Sequence, residues 1–310
     1  MTNGNGTAVK ASGLGFRYGD REALRDVSFD VARGAVHGFL GPNGSGKSTL
    51  FKILATILPV RTGSLAALGL DLATDFAALR RRIGVVFQSP ALDRKLTVRE
   101  NLRYGGHLQS LRGTELEKRI DEMLEVGNLR AREKDKVGEL SGGLRRRVEI
   151  AKGLLHKPEL VLLDEPSTGL DPAARQDLWR FLRSQKGLTV MFTTHLMEEA
   201  DEADALTILD AGQVVAAGTP DALRAELGGD VIEVTCADPD QLAHEIQERM
   251  KLPARKLGRT VRLEAWRAHT LVPQIVEAFG DRVTRLTLSQ PSLEDVFIVK
   301  TGHRLTEEGS

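Results

Sequence analysis

The stretch Gly41-Pro42-Asn43-Gly44-Ser45-Gly46-Lys47-Ser48-Thr49 constrains this chain more than any other. It fits G-x-x-x-x-G-K-[ST], a loop that wraps phosphate between a buried strand and a helix. Both flanks suit that placement. Val36 to Leu40 is an apolar run of strand length, and Leu50-Phe51-Lys52-Ile53-Leu54 opens an apolar-rich helix. Glycines let successive N–H groups turn toward phosphate oxygens, and the helix presents its positive end to them. In that setting Lys47 reaches the β- and γ-phosphates, and the Ser48 hydroxyl holds Mg²⁺. The pattern predicts an α/β nucleotide-binding core.

A chain of 310 residues, 41% hydrophobic, suffices for one large domain and a small one. Its 43 Lys and Arg balance 43 Asp and Glu, which argues against a nucleic-acid partner held by a strongly basic surface. No nucleic acid is expected. The single cysteine, Cys236, cannot form an intrachain disulfide and reads as a small apolar strand residue in a reducing compartment. Met1 to Thr7 lacks the apolar core of a signal peptide, and stretches such as Ile53 to Val60 are too short to span a bilayer. The expectation is a soluble cytoplasmic protein whose membrane work, if any, needs another polypeptide.

Before the phosphate loop, alternating Val27, Phe29 and Val31 suggest an antiparallel meander. Tyr18 is either a stacking platform for adenine or an ordinary strand aromatic. Ile83 to Phe87 reads as a buried strand ending at Gln88, whose amide suits a magnesium or water ligand, or a turn. From Thr97 to Leu155 the pattern is helical, with a capping box expected at Thr114 to Glu117. Ser141 caps a second glycine-flanked helix start, with Gly142 and Gly143 as a second anion site. The following Arg145, Arg146 and Arg147 read as a solvated face.

Leu160 to Leu163 is continuously apolar, as in a strand buried on both faces, and it ends in Asp164-Glu165. Successive side chains point to opposite sides of a strand, so Asp164 suits a Mg²⁺ shell and Glu165 a water to be polarised. Leu188 to Phe192 is another buried strand, with Thr193-Thr194-His195 at its end. Ligands of open α/β sheets bind at such strand ends. A boundary is expected at Gly228-Gly229, dividing residues 1–228 from 229–310. Beyond it the order strand, helix, hairpin, helix, strand is ferredoxin-like, and Ser292 caps a last helix.

Taken in order, these motifs resemble the ATP-binding cassette (ABC) family, the nucleotide-binding subunits of membrane transporters. The likeness runs from about Val9 to Leu227. It implies a mostly parallel sheet, an antiparallel meander and a helical subdomain near residues 89–158, followed by a small accessory or regulatory α+β domain. It further implies that Tyr18 stacks on adenine, Gln88 senses magnesium and the permease, and Leu140-Ser141-Gly142-Gly143 is the signature facing a partner's ATP. Asp164 and Glu165 match the magnesium aspartate and catalytic glutamate, Asp171 belongs to the loop linking two subunits, and His195 is the switch histidine. Leu144 stands where the family usually has Gln, so one polar contact to the partner-bound nucleotide is expected to be lost.

The wording Gly143-Leu144-Arg145-Arg146-Arg147 and the stretch Pro291 to Phe297 resemble the bacterial drug and polyketide-antibiotic exporter branch. The implied function is an exporter ATPase that uses ATP and Mg²⁺ in a homodimer or paired-cassette dimer. It would energise a separate multi-span permease from the inner face of the cell membrane. The alternatives are a soluble cassette ATPase without a permease and a nucleotide-binding module that does not hydrolyse. For the C-terminal domain the expectation is a regulatory or dimer-supporting role, with the Ser292 to Phe297 helix as a contact element.

Overall fold

Two kinds of strand separate by their burial patterns in a computed structural model that describes residues 6–89, 91–265 and 268–305. Alternating strands build one sheet: β1 (Thr7–Tyr18) and β2 (Arg21–Ala32) are antiparallel. Another sheet begins with β3 (Val36–Leu40), buried at every position. β4 (Thr62–Ala67) and β5 (Leu70–Asp71) complete the first sheet in the order β2-β1-β4-β5. The second adds β6 (Ile83–Val86), β7 (Leu160–Asp164), β8 (Thr189–Thr194), β9 (Ala205–Asp210) and β10 (Gln213–Gly218), in the order β10-β9-β3-β8-β7-β6. Between them α1 (Lys47–Leu54) buries Leu50, Phe51, Ile53 and Leu54 in one core with Val9, Leu14, Val27 and Val31 of the meander.

The parallel register is what positions the site. β3 pairs with β8 so that Leu40 stands opposite Thr194, and β7 pairs with β8 so that Asp164 stands opposite Thr193. The loops leaving these strands, at Gly41, Glu165 and His195, therefore start side by side at the carboxyl edge of the sheet.

The remaining helices of this unit are α2 (Phe76–Arg80), α3 (Val98–Leu108), α4 (Gly113–Val126), α5 (Gly142–Leu154), α6 (Pro172–Arg183) and α7 (Met197–Ala200). The capping box falls at Thr97 and Glu100, which open α3, and not at Thr114 to Glu117. α4 starts at Gly113 without a side-chain cap, because Glu117 is drawn across to Arg99 and Arg103 of α3. α5 lies directly against β6: a Cβ on Gly84 would come within 2.4 Å of the Gly153 carbonyl oxygen.

The chain divides into two compact units, Met1–Ala217 and Gly218–Ser310. The division precedes Gly228-Gly229 because α8 (Pro220–Ala225) belongs with the second unit, where Leu223 is fully buried and Glu226 pairs with Lys300. That unit continues as β11 (Asp230–Cys236), α9 (Pro239–Met250), β12 (Ala254–Leu257), β13 (Thr260–Ala265), α10 (Leu271–Phe279) and β14 (Val283–Ser289). Its sheet is antiparallel in the order β12-β13-β11-β14, with Ile232, Val234, Leu242, Ile246 and Phe279 in the core and Cys236 buried and free. Ser292 caps the last helix, α11 (Leu293–Thr301), in a capping box with Asp295. Leu293, Val296 and Phe297 are buried, so the apolar side of α11 packs inward.

One buried group ties the stability of the first unit to pH. His37 of β3 is 4% exposed, hydrogen-bonded to the Thr207 hydroxyl at 2.9 Å and packed against Phe29 and Phe39. Burial lowers its pKa from 6.5 to about 4. An unfolded chain takes up this proton below pH 6.5 and the folded chain does not, so stability is full at neutral pH and falls between pH 6.5 and 4. The loss attributable to His37 is about 3 kcal/mol at most. Urea unfolding of His37→Gln should show a shallower loss of stability than wild type across this window; parallel curves would rule His37 out.

Candidate functional site

The phosphate loop leaves β3 at Gly41, where a Cβ would stand 2.2 Å from the Leu209 carbonyl oxygen. Gly44 and Gly46 have φ of 84° and 101°, left-handed values that favour glycine. The Lys47 ammonium is 5% exposed and donates to the carbonyls of Gly41 at 2.6 Å and Pro42 at 2.9 Å, folding back over its own loop. Ser45 Oγ is buried without a hydrogen-bond partner. A cavity of about 250 Å³ opens here, lined by Tyr18, Asn43, Lys47, Ser48, Thr49 and Glu165 among others. The Tyr18 ring, T-stacked on Phe16 and 45% exposed, is accessible from that cavity.

Opposite the loop, the ends of β6, β7 and β8 bring three predicted residues into contact. Glu165 accepts from Gln88 Nε2 at 2.9 Å through one carboxylate oxygen and meets His195 Nδ1 at 3.1 Å through the other. Thr168 Oγ1 also donates to it at 3.2 Å. The backbone at Glu165 has φ of 47°, a left-handed conformation that costs a non-glycine residue about 1–3 kcal/mol. Thr193 helps to hold that turn: its hydroxyl donates to Asp164 at 2.5 Å and accepts from the Glu165 N–H at 3.0 Å. Only the β7–β8 register reveals Thr193 as a site residue.

Ser141, Gly142 and Gly143 lie elsewhere. Ser141 caps α5, accepting from Leu144 N at 3.3 Å. Gly142 lines a second cavity of about 380 Å³ with Gln88, Arg145, Thr168, Gly169 and Glu165. Asp171 caps α6 through the Ala174 N–H at 2.9 Å. Within one chain, then, Lys47 and Gly142 line different cavities, and Glu165 lines both. The three arginines after Gly143 are not a solvated face. Arg146 is 8% exposed and turned inward to Glu149, and Arg147 pairs with Asp177. Their charge suggested solvent, but α5 presents Arg146 to the strand ends and Arg147 to α6, while half-buried Arg145 donates to the Leu140 carbonyl at 2.7 Å.

The residues suit a magnesium–triphosphate. Gly44 and Gly46 line the cavity together with Lys47 and Ser48, a glycine-lined cradle with a cation and a hydroxyl on it. Among the described residues no cluster of three His, Cys, Asp or Glu could cage a metal. Burial lowers the Lys47 pKa to about 8, opposed by the nearby charges of Glu165 and Asp164.

A family model described as ABC transporter matches residues 24–168. Another, described as ATP-binding protein DrrA1-3-like, C-terminal domain, matches residues 218–301. The chain is 39% identical to the daunorubicin resistance ATP-binding protein DrrA3 of Streptomyces coeruleorubidus, with 96% of each chain covered. It is 38% identical to the Nod factor export ATP-binding protein I of Rhizobium johnstonii, again with 96% of each covered. A solved dimeric cassette in a post-hydrolysis state, bound to ADP and Pi, superposes with a TM-score of 0.61. It is 27% identical, over 68% of this chain and 98% of that one.

The Lys47 environment gives a pH signature for nucleotide binding. Below pH 8 the free chain already carries the ammonium; above it, binding must take up a proton. ATP affinity by isothermal titration should be flat from pH 7 to about 8, then fall by up to about tenfold per pH unit. Constant affinity to pH 10 would show that Lys47 does not titrate there.

Proposed function

The chain belongs to the ATP-binding subunits of ABC transporters, an ATPase, and on that premise we propose how its residues divide the work of an exporter. The observation that carries the assignment is the convergence of Gln88 and His195 on the Glu165 carboxylate beside the phosphate-loop cavity. Tyr18 offers the adenine a ring face. Gly41 to Thr49 wrap the phosphates, and Lys47 trades its bonds to its own loop for phosphate oxygens. Glu165 polarises the attacking water, and His195, already on the same carboxylate, orients it toward the γ-phosphate. Ser48, Gln88 and Asp164 would hold Mg²⁺, which supplies charge neutralisation at the phosphates. Thr193 keeps Asp164 and Glu165 in their separate roles.

In one chain the Ser141-Gly142-Gly143 helix start lines a cavity other than that of its own Lys47. A second copy, or a paired cassette, turned head to tail would place that helix start on the nucleotide of its neighbour. Closure on ATP and release after hydrolysis then supply the motion.

The motion needs a membrane partner. Among the described residues no helix is long and apolar enough to cross a bilayer. The first unit carries a groove of about 520 Å³ lined by Ile57, Val85, Phe87, Gly105 and Leu108, with Leu108 80% exposed and Tyr104 beside it on α3 60% exposed. We assign this groove to an apolar cytoplasmic segment of a multi-span permease, which would hold the subunit on the inner face of the membrane. Export as the direction follows the relatives named for drug resistance and Nod factor export. The second unit is accessory.

Glu165→Gln should bind ATP like wild type, lose about 10²–10⁴-fold in turnover, and accumulate as an ATP-bound dimer in light scattering. Near-normal turnover would move the catalytic role elsewhere. Leu108→Glu should leave the ATPase rate of the isolated subunit intact while abolishing transport with its permease. Unimpaired transport would remove the groove from the coupling interface.

A further inference from the structure

The guanidinium of Arg146 is the most heavily engaged side chain near the site, and the mechanism above gives it no task. It is 8% exposed and uses its whole donor fork. Nε donates to the Pro166 carbonyl at 3.0 Å. Nη2 donates to the carbonyls of Asp164 at 3.0 Å and Glu165 at 3.4 Å. Nη1 donates to the Phe87 carbonyl at 2.8 Å and to Glu149 at 2.8 Å. One side chain of α5 thus grips the backbone on both sides of Glu165 and the residue before Gln88.

Glu149, one turn along α5, completes the clamp. It is as buried as Arg146 and neutralises it, and its second oxygen accepts from the Ala91 N–H at 3.1 Å. The segment carrying Gln88 is therefore held from α5 on both sides, at Phe87 and at Ala91. The Gln88 and Glu165 side chains meet 2.9 Å apart. A carbonyl is fixed most firmly by a charged donor, and a planar fork fixes several carbonyls in one relative geometry. Lysine, with a single nitrogen on a flexible stem, cannot reproduce that geometry.

We propose that Arg146, with Glu149, is the positioning residue that locks the Glu165 turn and the Gln88 segment to helix α5. This inference rests on the role proposed for Glu165.

The test uses the full chain and compares wild type, Arg146→Lys, Glu165→Gln and the combined variant. Arg146→Lys keeps the charge opposite Glu149 and loses the fork. It should bind ATP with unchanged affinity and lower kcat by about 10- to 100-fold, the range expected when a reacting group is misplaced by about an ångström. Adding Arg146→Lys to Glu165→Gln should change the residual rate by no more than about twofold, because both act on one step. Arg147→Lys, whose partner Asp177 lies on α6, should keep the wild-type kcat.

Should Arg146→Lys fail to fold, the charge-free pair Arg146→Gln with Glu149→Gln is read in the same way. A folded variant of either kind with wild-type kcat, or a loss that multiplies fully with that of Glu165→Gln, would overturn the proposal. If Glu165→Gln itself keeps normal turnover, the failure lies in the assignment of Glu165. If Glu165→Gln is inactive while the Arg146 variants turn over normally, only the role of Arg146 falls.

Discussion

The hydrogen-bonded register between β7 and β8 is the constraint on which the site depends. It sets Asp164 against Thr193, and the one hydroxyl of Thr193 serves both the Asp164 carboxylate and the Glu165 N–H. The chain at Glu165 turns into a left-handed conformation that an unsupported glutamate would not keep. Here the carbonyls of Asp164, Glu165 and Pro166 are all held by Arg146, so the strain is fixed by surrounding bonds. A slip of one residue in this parallel pairing would turn Asp164 and Glu165 to the wrong faces and dissolve the contact with Gln88 and His195.

Around that centre the fold supplies two cavities that share a wall. The phosphate loop lines one and the start of α5 the other, with Glu165 between them. On the proposed function a monomer so built holds two half-sites, which would account for two glycine-rich helix starts in a single chain. Lys47 fits the same proposal: it is bonded to its own loop carbonyls and easier to deprotonate than a free lysine, as a cation that exchanges those bonds for phosphate would be.

Much of this is legible in the sequence because the chemistry demands unusual residue types in short runs. Gly41 to Thr49, the apolar strand ending in Asp164-Glu165, and His195 after two threonines could be read without coordinates, as could the order of strands and helices from Val231 to Leu288. Interactions between segments distant in sequence were not legible. Three consecutive arginines look like a solvated face, and only the packing of α5 against β6, through Gly84 and Gly153, brings Arg146 onto the strand ends. The Thr114 to Glu117 pattern has the form of a capping box, yet Glu117 is claimed by Arg99 and Arg103 from another helix. Likewise Gly228-Gly229 marks a break in composition, whereas Leu223 and Glu226 tie the preceding helix to the second unit.

The central claim is that the ATPase site is complete only when two chains meet, and subunit mixing tests it most directly. Lys47→Ala removes one half-site and Ser141→Arg blocks the other, so each variant alone should lack ATPase activity. In a mixed dimer one intact phosphate loop faces one intact α5 start. The account predicts that combining the two inactive proteins restores hydrolysis to a clear fraction of the wild-type rate. Ser141→Arg alone turning over ATP like wild type would contradict it, because the site would then be complete within a single chain.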